Sequence, residues 1–192
     1  MRLRPLLVDA HLGVVIQALR AGQRLIAEGK SAAPADWAPR IEELLSDSRS
    51  GVRLAAIEAA ASWPSQANGT LAEGVAGIAE SGTGRERGAA LLSLAANGDG
   101  RAGALVEKAA GAEDADVRAR AAEAAGKLGR ADLVARLLAD PSPEVRAPAA
   151  EARLAASGDL ATVEALLEDP DEGVRGTVLG SVLGVLPGMI GS

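Results

Sequence analysis

The sequence predicts an all-α protein, a solenoid of about five antiparallel helix pairs, and three observations predict it. The first is a recurring signature: Leu137, Leu138, Ala139, Asp140, Pro141, Ser142, Pro143, Glu144, Val145, Arg146 returns as Leu166, Leu167, Glu168, Asp169, Pro170, Asp171, Glu172, Gly173, Val174, Arg175. Earlier copies stand at Leu44, Leu45, Ser46, Asp47 through Val52, Arg53, and more weakly at Asp114 to Arg118; a degenerate one runs from Thr83 to Leu91. The second is the period. With Val52, Glu86, Val117, Val145 and Val174 taken as equivalent, the steps are 34, 31, 28 and 29 residues, the length of two helices and two turns. A unit this short cannot bury its own apolar face, so copies must stack and share a core. The third is composition: 48% of residues are hydrophobic, yet there is no Phe or Tyr and only Trp37 and Trp63, so the interior must be Ala, Leu and Val.

Each part of the signature has a physical task. Two leucines end a helix, and Pro141 follows where its missing N–H and fixed φ cannot continue the ladder. Ser142 is placed to cap the next helix, Pro143 suits its first position, and Glu144 puts negative charge beside the positive end of the macrodipole. Val145 opens the apolar stripe, which continues through Ala149, Ala150 and Leu154.

This Asp-Pro-x-x-x-Val-Arg pattern with an Ala-rich helix after it resembles HEAT repeats, in particular the short bacterial variety also called PBS-lyase-like HEAT repeats. The resemblance covers roughly Ala35 to Leu186. It implies a right-handed superhelix whose second helices line a concave face, and turn residues that tie neighbouring repeats together. Carried over by position, those residues are Asp47, Asp140 and Asp169 with Arg53, Arg87, Arg118, Arg146 and Arg175. Ser81 and Ala112 occupy the Asp position in the other copies, so the polar ladder is expected to break there.

Taken in order, Asp9 to Gly29 reads as an amphipathic helix with Leu12, Val15, Ile16, Leu19, Leu25 and Ile26 on its apolar stripe. Its partner, about Asp36 to Leu45, turns Trp37, Ile41, Leu44 and Leu45 inward; residues 1–46 thus form an amino-terminal capping pair. The array proper covers residues 47–170, with helices at Gly51–Trp63, Gly69–Glu80, Arg85–Ala96, Arg101–Ala109, Ala115–Leu128, Ala131–Ala139, Pro143–Ala156 and Leu160–Glu168. Trp63, just before Pro64, reads as the seal of a repeat junction. Asn68, Asn97 and the glycines of Gly69 to Gly103 mark loose turns where stacking should be weakest. Residues 171–192 form a half-repeat: a helix from about Glu172, stopped by Pro187, then a trailing tail.

That last segment is unusual. Between Gly176 and Ser192 there is no charged side chain, whereas an end repeat needs a polar outer face. The stretch is shorter than the ~20 apolar residues of a membrane span. Three readings stand: the tail folds back on its own last repeat, pairs with a copy of itself in a homodimer through the carboxy-terminal end, or docks on a partner through Val182, Leu183, Leu186, Met189 and Ile190.

Charge excludes more than it assigns. The formal net charge is −6. It runs +2 over residues 1–53, −2 over 54–110 and −6 over 111–192. A nucleic-acid binder needs a basic face and often aromatic stacking platforms, so nucleic acid is not the expected partner. Seventeen arginines against three lysines, with high Ala and Gly, suggest a GC-rich bacterial genome. There is no cysteine for a disulfide or thiolate, and Asp9 and His11 interrupt the amino-terminal apolar run too early for a signal peptide, so a cytoplasmic location is expected.

Catalytic chemistry finds no foothold. His11 is the only histidine, so a His-based or zinc site and a Ser-His-Asp triad have no material. The Gly-rich stretches follow helices and lack a phosphate-loop Lys. The acidic turn Glu168 to Glu172 lacks the spacing of a calcium loop and reads as a solvated turn with a cap. Two tryptophans distant in sequence, in an acidic chain, argue against a DNA-base glycosylase. No catalytic residue, cofactor or metal is therefore expected. The expected surface is the concave face, where Arg40, Glu43, Glu73, Arg101, Lys108, Asp132, Arg136 and Glu164 lie off the apolar stripe; each also reads as ordinary solvated surface. Mixed charge there suits a protein partner. The expected function is a non-enzymatic scaffold or adaptor; a chromophore-lyase-like accessory and a nucleic-acid-binding HEAT-like protein are the alternatives.

Overall fold

The computed structural model describes residues 4–30, 32, 35–63, 69–157 and 160–185. Among these, a 3-10 turn at Arg4–Val8 precedes α1 (Leu12–Ala27), and a second at Ala35–Trp37 leads into α2 (Ala38–Leu44). There follow α3 (Ser50–Ala60), α4 (Gly69–Ser81), α5 (Gly84–Ala96), α6 (Ala102–Ala109), α7 (Ala115–Lys127), α8 (Ala131–Leu137), α9 (Pro143–Ser157), α10 (Leu160–Leu166) and α11 (Glu172–Val185). The fold is an α-solenoid of helical hairpins. It divides into two compact units, Met1–Ala102 and Gly103–Ser192.

In the first unit α1 packs on α3 and α3 on α5, while α2 packs against α3 and α4, and α4 against α3 and α5. Val15, Ala18 and Leu19 turn inward from α1, and Val52, Ala56 and Ile57 from α3. The two tryptophans, 26 positions apart in the chain, stack with ring centroids 6.2 Å apart and planes 20° apart. Both are buried, so they anchor the core and present no face to a ligand. Trp37 lies so close to α1 that a Cβ at Gly22 would stand 2.5 Å from the ring, which makes glycine a requirement there.

In the second unit the first helices of successive hairpins stack, α7 on α9 and α9 on α11; α8 and α10 pack against them as the second helices. Ala121, Ala122, Ala124, Ala125, Ala149 and Ala150 are all fully buried. Small side chains let the helix axes come close: a Cβ on Gly126 would lie 2.6 Å from the Cβ of Ala152.

The turns are better tied than their glycine content suggests. Gly29, Gly98 and Gly129, at φ of +66°, +64° and +67°, close α1, α5 and α7. In each, the N–H of the next residue reaches back to the carbonyl five positions before it: Lys30 to Leu25, Asp99 to Leu94, Arg130 to Ala125. Asn97, expected in a loose turn, donates through Nδ2 to the Ala60 carbonyl at 3.0 Å and pins the end of α5 to the end of α3. Ser142, expected as a cap, instead places its hydroxyl 2.6 Å from Glu144 Oε2, while its own N–H donates to Asp140 Oδ1 at 2.9 Å. Asn68, Leu186, Met189 and Ile190 lie outside the described residues.

Candidate functional site

The signature arginines form the most regular polar feature of the chain. Arg118 donates through Nη1 to the carbonyls of Ala112 and Glu113, both at 2.8 Å, which secures it to its own turn. Its Nε and Nη2 then fork onto Asp140 of the following hairpin at 2.8 and 3.0 Å. Arg146 repeats the arrangement, with Nη1 on the carbonyls of Asp140 and Pro141 and the fork on Asp169 at 2.8 and 2.9 Å. Such bidentate, charge-assisted pairs are the strongest polar contacts a fold can make. The guanidinium of Arg118 holds the Asp140 carboxyl below the usual carboxylate range, and that of Arg146 does the same for Asp169.

In the first unit the ladder takes another form. Arg53 has its Nη1 on the carbonyls of Asp47 and Ser48, but Ser81 stands where an aspartate would receive the fork. The fork lands instead on Glu86, in the first turn of α5, at 2.8–3.2 Å. The rung expected to be missing at Ser81 is therefore present through a glutamate at the valine position of the signature. Arg87 donates to the Ala79 carbonyl and joins α5 to α4. Asp47 and Asp99 are held by arginines two residues on, Arg49 and Arg101, in bidentate pairs at 2.7–2.9 Å.

The concave-face candidates divide by unit. In the first, Arg40 pairs with Glu43 on α2, and its Nε and Nη2 donate to the Leu7 carbonyl at 3.2 Å. Arg101 precedes α6 and is tied to Asp99; Glu73, exposed on α4, adds to the field at Arg101. In the second, Arg136 and Asp132 on α8 join Arg130 and Glu107 in one cluster. Glu107 receives Arg136 at 2.7 Å and Arg130 at 2.8 Å, and Arg130 also donates to both oxygens of Asp132 at 2.9–3.0 Å. The neighbouring Arg136, then Arg130, lowers the Glu107 carboxyl, and Arg130 brings Asp132 to about 2. Lys108 and Glu164 are exposed. Val182 is half-buried and Leu183 is 62% exposed. Glu107 and Arg130, the centre of the cluster, carry no signal in the sequence: Arg130 precedes α8, and Glu107, on α6, is set apart from other solvated side chains only by its ion pairs.

Two spaces open among the described residues. An open groove of about 450 Å³ runs between α7 and α9, lined by Glu123, Lys127, Pro148, Glu151 and Ala152. Pro148 stands inside α9, where it withholds an N–H from the Glu144 carbonyl. A cavity of about 10 Å³ lies beside Trp63, and there the buried Ser93 hydroxyl has no hydrogen-bond partner among the described residues. That is room for one water at most. No group of three metal-ligating side chains occurs among the described residues, and no helix there is long and apolar enough to cross a membrane. His11 is exposed, with Nδ1 3.1 Å from Asp9.

No family model and no curated protein sequence matches the chain. Solved structures do. YibA of E. coli is similar at 20% identity and a TM-score of 0.66, with 99% of this chain and 75% of that one covered. The complex of CpcE and CpcF of phycocyanin lyase from Nostoc sp. is similar at 18% identity and a TM-score of 0.66, over 99% and 80%. A designed armadillo repeat protein follows at 17% identity and a TM-score of 0.50, over 96% and 98%. These likenesses show the fold, a HEAT-like stack of helical hairpins.

Proposed function

We propose that the chain is a non-enzymatic protein-interaction scaffold, located in the bacterial cytoplasm. The observation that carries this reading is the cluster of Glu107, Arg130, Asp132 and Arg136 on α6 and α8. Its charges are mutually held and partly open to water, so a partner meets side chains that have already lost much of their rotamer freedom. Their mixed sign fits the polar rim of a protein interface and offers a phosphate backbone no net attraction. Arg40, Glu43, Glu73, Arg101, Lys108 and Glu164 extend the charged surface within their own units.

The test is capture of cell protein on the immobilised full chain, beside a variant with Glu107→Ala, Asp132→Ala and Arg136→Ala. A partner held by the first and lost by the second, at matched melting temperature, supports the reading; equal capture by both sinks it. A second reading rests on the likeness to the CpcE and CpcF complex of phycocyanin lyase. It makes the chain an accessory of a chromophore lyase, and a visible absorbance band that purifies with the chain would favour it.

A further inference from the structure

The last signature arginine is prepared for a rung that the described residues do not complete. Arg175 has its Nη1 on the carbonyls of Asp169 and Pro170 at 2.7 and 3.0 Å, as Arg118 and Arg146 have on theirs. Its Nε and Nη2, the atoms that fork onto the next hairpin in both earlier copies, meet no carboxylate among the described residues. Below it on α11 stand Leu179 and Leu183, 49% and 62% exposed. In register these match Ala122 and Gly126 of α7 and Ala150 and Leu154 of α9. Ala122 and Ala150 are fully buried, and Gly126 touches the next hairpin through Ala152. The end of α11 thus presents the stripe by which each hairpin of this unit receives its successor.

The complementary half is at the other end of the sequence. Asp9 Oδ1 accepts the His11 N–H at 2.7 Å and α1 begins three residues after it, at Leu12. Asp140 and Asp169 do the same with the N–H groups of Ser142 and Asp171, ahead of Pro143 and Glu172. Asp9 therefore holds the register of a rung aspartate, and its side-chain neighbour is His11 alone among the described residues. Beside it Leu6, Val8 and Leu12 are 38%, 66% and 39% exposed. Among the described residues, every large apolar side chain that is exposed belongs to one of these two sets.

We infer that the chain associates with itself head to tail, Arg175 of one copy forking onto Asp9 of the next while Leu179 and Leu183 pack along α1 of that copy, Leu183 at Ala21, the position that Ala152 holds in α9. The occupant of each end is a second copy because the carboxylate and its turn geometry are both supplied by this chain. The uncharged stretch 176–185 brings no cation against Arg20 and Arg24, which are exposed on α1 of the incoming copy. The contact joins two different surfaces, so it either closes into a ring or grows. This inference is independent of the charge cluster on α6 and α8.

Sedimentation equilibrium of the full chain over a wide concentration range tests it. Average mass is expected to rise with concentration. Asp9→Arg and Arg175→Asp should each weaken association by about tenfold or more, because each sets like charges against one another. An equimolar mixture of the two should recover it, since every contact between unlike variants is then complementary. Arg175→Asp also disturbs a turn; if it fails to fold, Asp9→Arg and Leu183→Glu carry the test, and both must lower the mass. Three results overturn the inference: a full chain that stays monomeric, a two-fold dimer indifferent to Asp9→Arg, or a mixture of folded variants that stays monomeric. A monomer whose melting temperature falls when residues 186–192 are removed would assign the leucines to that segment and equally overturn it.

Discussion

In the first unit two stacked indoles set the spacing of the helices, with Trp37 pressed on Gly22 and Trp63 among Ala60, Leu71, Val75 and Leu94. In the second unit the six fully buried alanines of α7 and α9 do the same work, and no aromatic ring is present at all. The polar ties differ in step. The rungs of the second unit, Arg118 with Asp140 and Arg146 with Asp169, keep 7–15% of their side-chain surface exposed, whereas Arg53 and Glu86 keep 27% and 28%. Where large side chains fill the core, the rung can sit at the surface. Where alanines fill it, less apolar area per residue is removed from water, and the rung is drawn in beneath the turns.

The sharpest way to break that contrast is to remove an indole. Trp63→Ala should lower stability by about 3–5 kcal/mol, because a rigid ring leaves a cavity that its neighbours cannot close. The loss should appear in thermal unfolding followed by far-ultraviolet circular dichroism. The remaining Trp37, stripped of its stacking partner, should shift its emission to the red in the folded protein. A melting temperature unchanged from the parent chain would show that the stack is ornament and the spacing is set elsewhere.

The corresponding blow to the second unit is Arg146→Ala. Removing one partner of a buried ion pair costs about 3–5 kcal/mol, and access of water at the turn should reduce this to about 2–3 kcal/mol. Arg53→Ala should cost less, since Glu86 is freed into solvent. Acid gives a second measure. Asp140 and Asp169 titrate lower in the fold than their ordinary value of 3.8, so the unfolded chain binds more protons in that range and the fold is weakened as pH falls below about 4. Lowering the pH from 5 to about 2 should therefore depress the melting temperature of the parent chain more than that of Arg146→Ala. Equal depression would mean that the rung carries no linked stability.

The repeat period, the helix positions and the ladder of the second unit were legible because Asp-Pro and Val-Arg recur there in nearly constant register. The rung at Arg53 was less so. Its acceptor, Glu86, takes the place of a valine, and a pattern that equates positions cannot say that a carboxylate five residues from its usual place will be reached by the same guanidinium. The tryptophan pair was hidden for a related reason: separation in sequence says nothing of separation in a stack whose linker lengths vary. Of the concave-face candidates, Asp132 and Arg136 were named, but the cluster they join is centred on Glu107 and Arg130. Those two are drawn in by ion pairing, which helical periodicity does not encode.

The finest distinction between the units lies in their glycines. Gly126→Ala adds one methyl between α7 and α9, with Ala152 Cβ only 2.6 Å from where it must go. A helical glycine replaced by alanine gains ~1 kcal/mol from propensity. Overpacking between two helix backbones costs ~1–3 kcal/mol, because neither a short side chain nor a helix axis can yield cheaply. The net result should be a loss of about 1 kcal/mol. Gly77, in α4 of the first unit, supplies the control: nothing lies within 4 Å of its would-be Cβ, so Gly77→Ala should raise the melting temperature. If both changes stabilise, α7 and α9 can move apart at that end, and close approach of alanine-lined helices is then a convenience of the second unit and not what holds it.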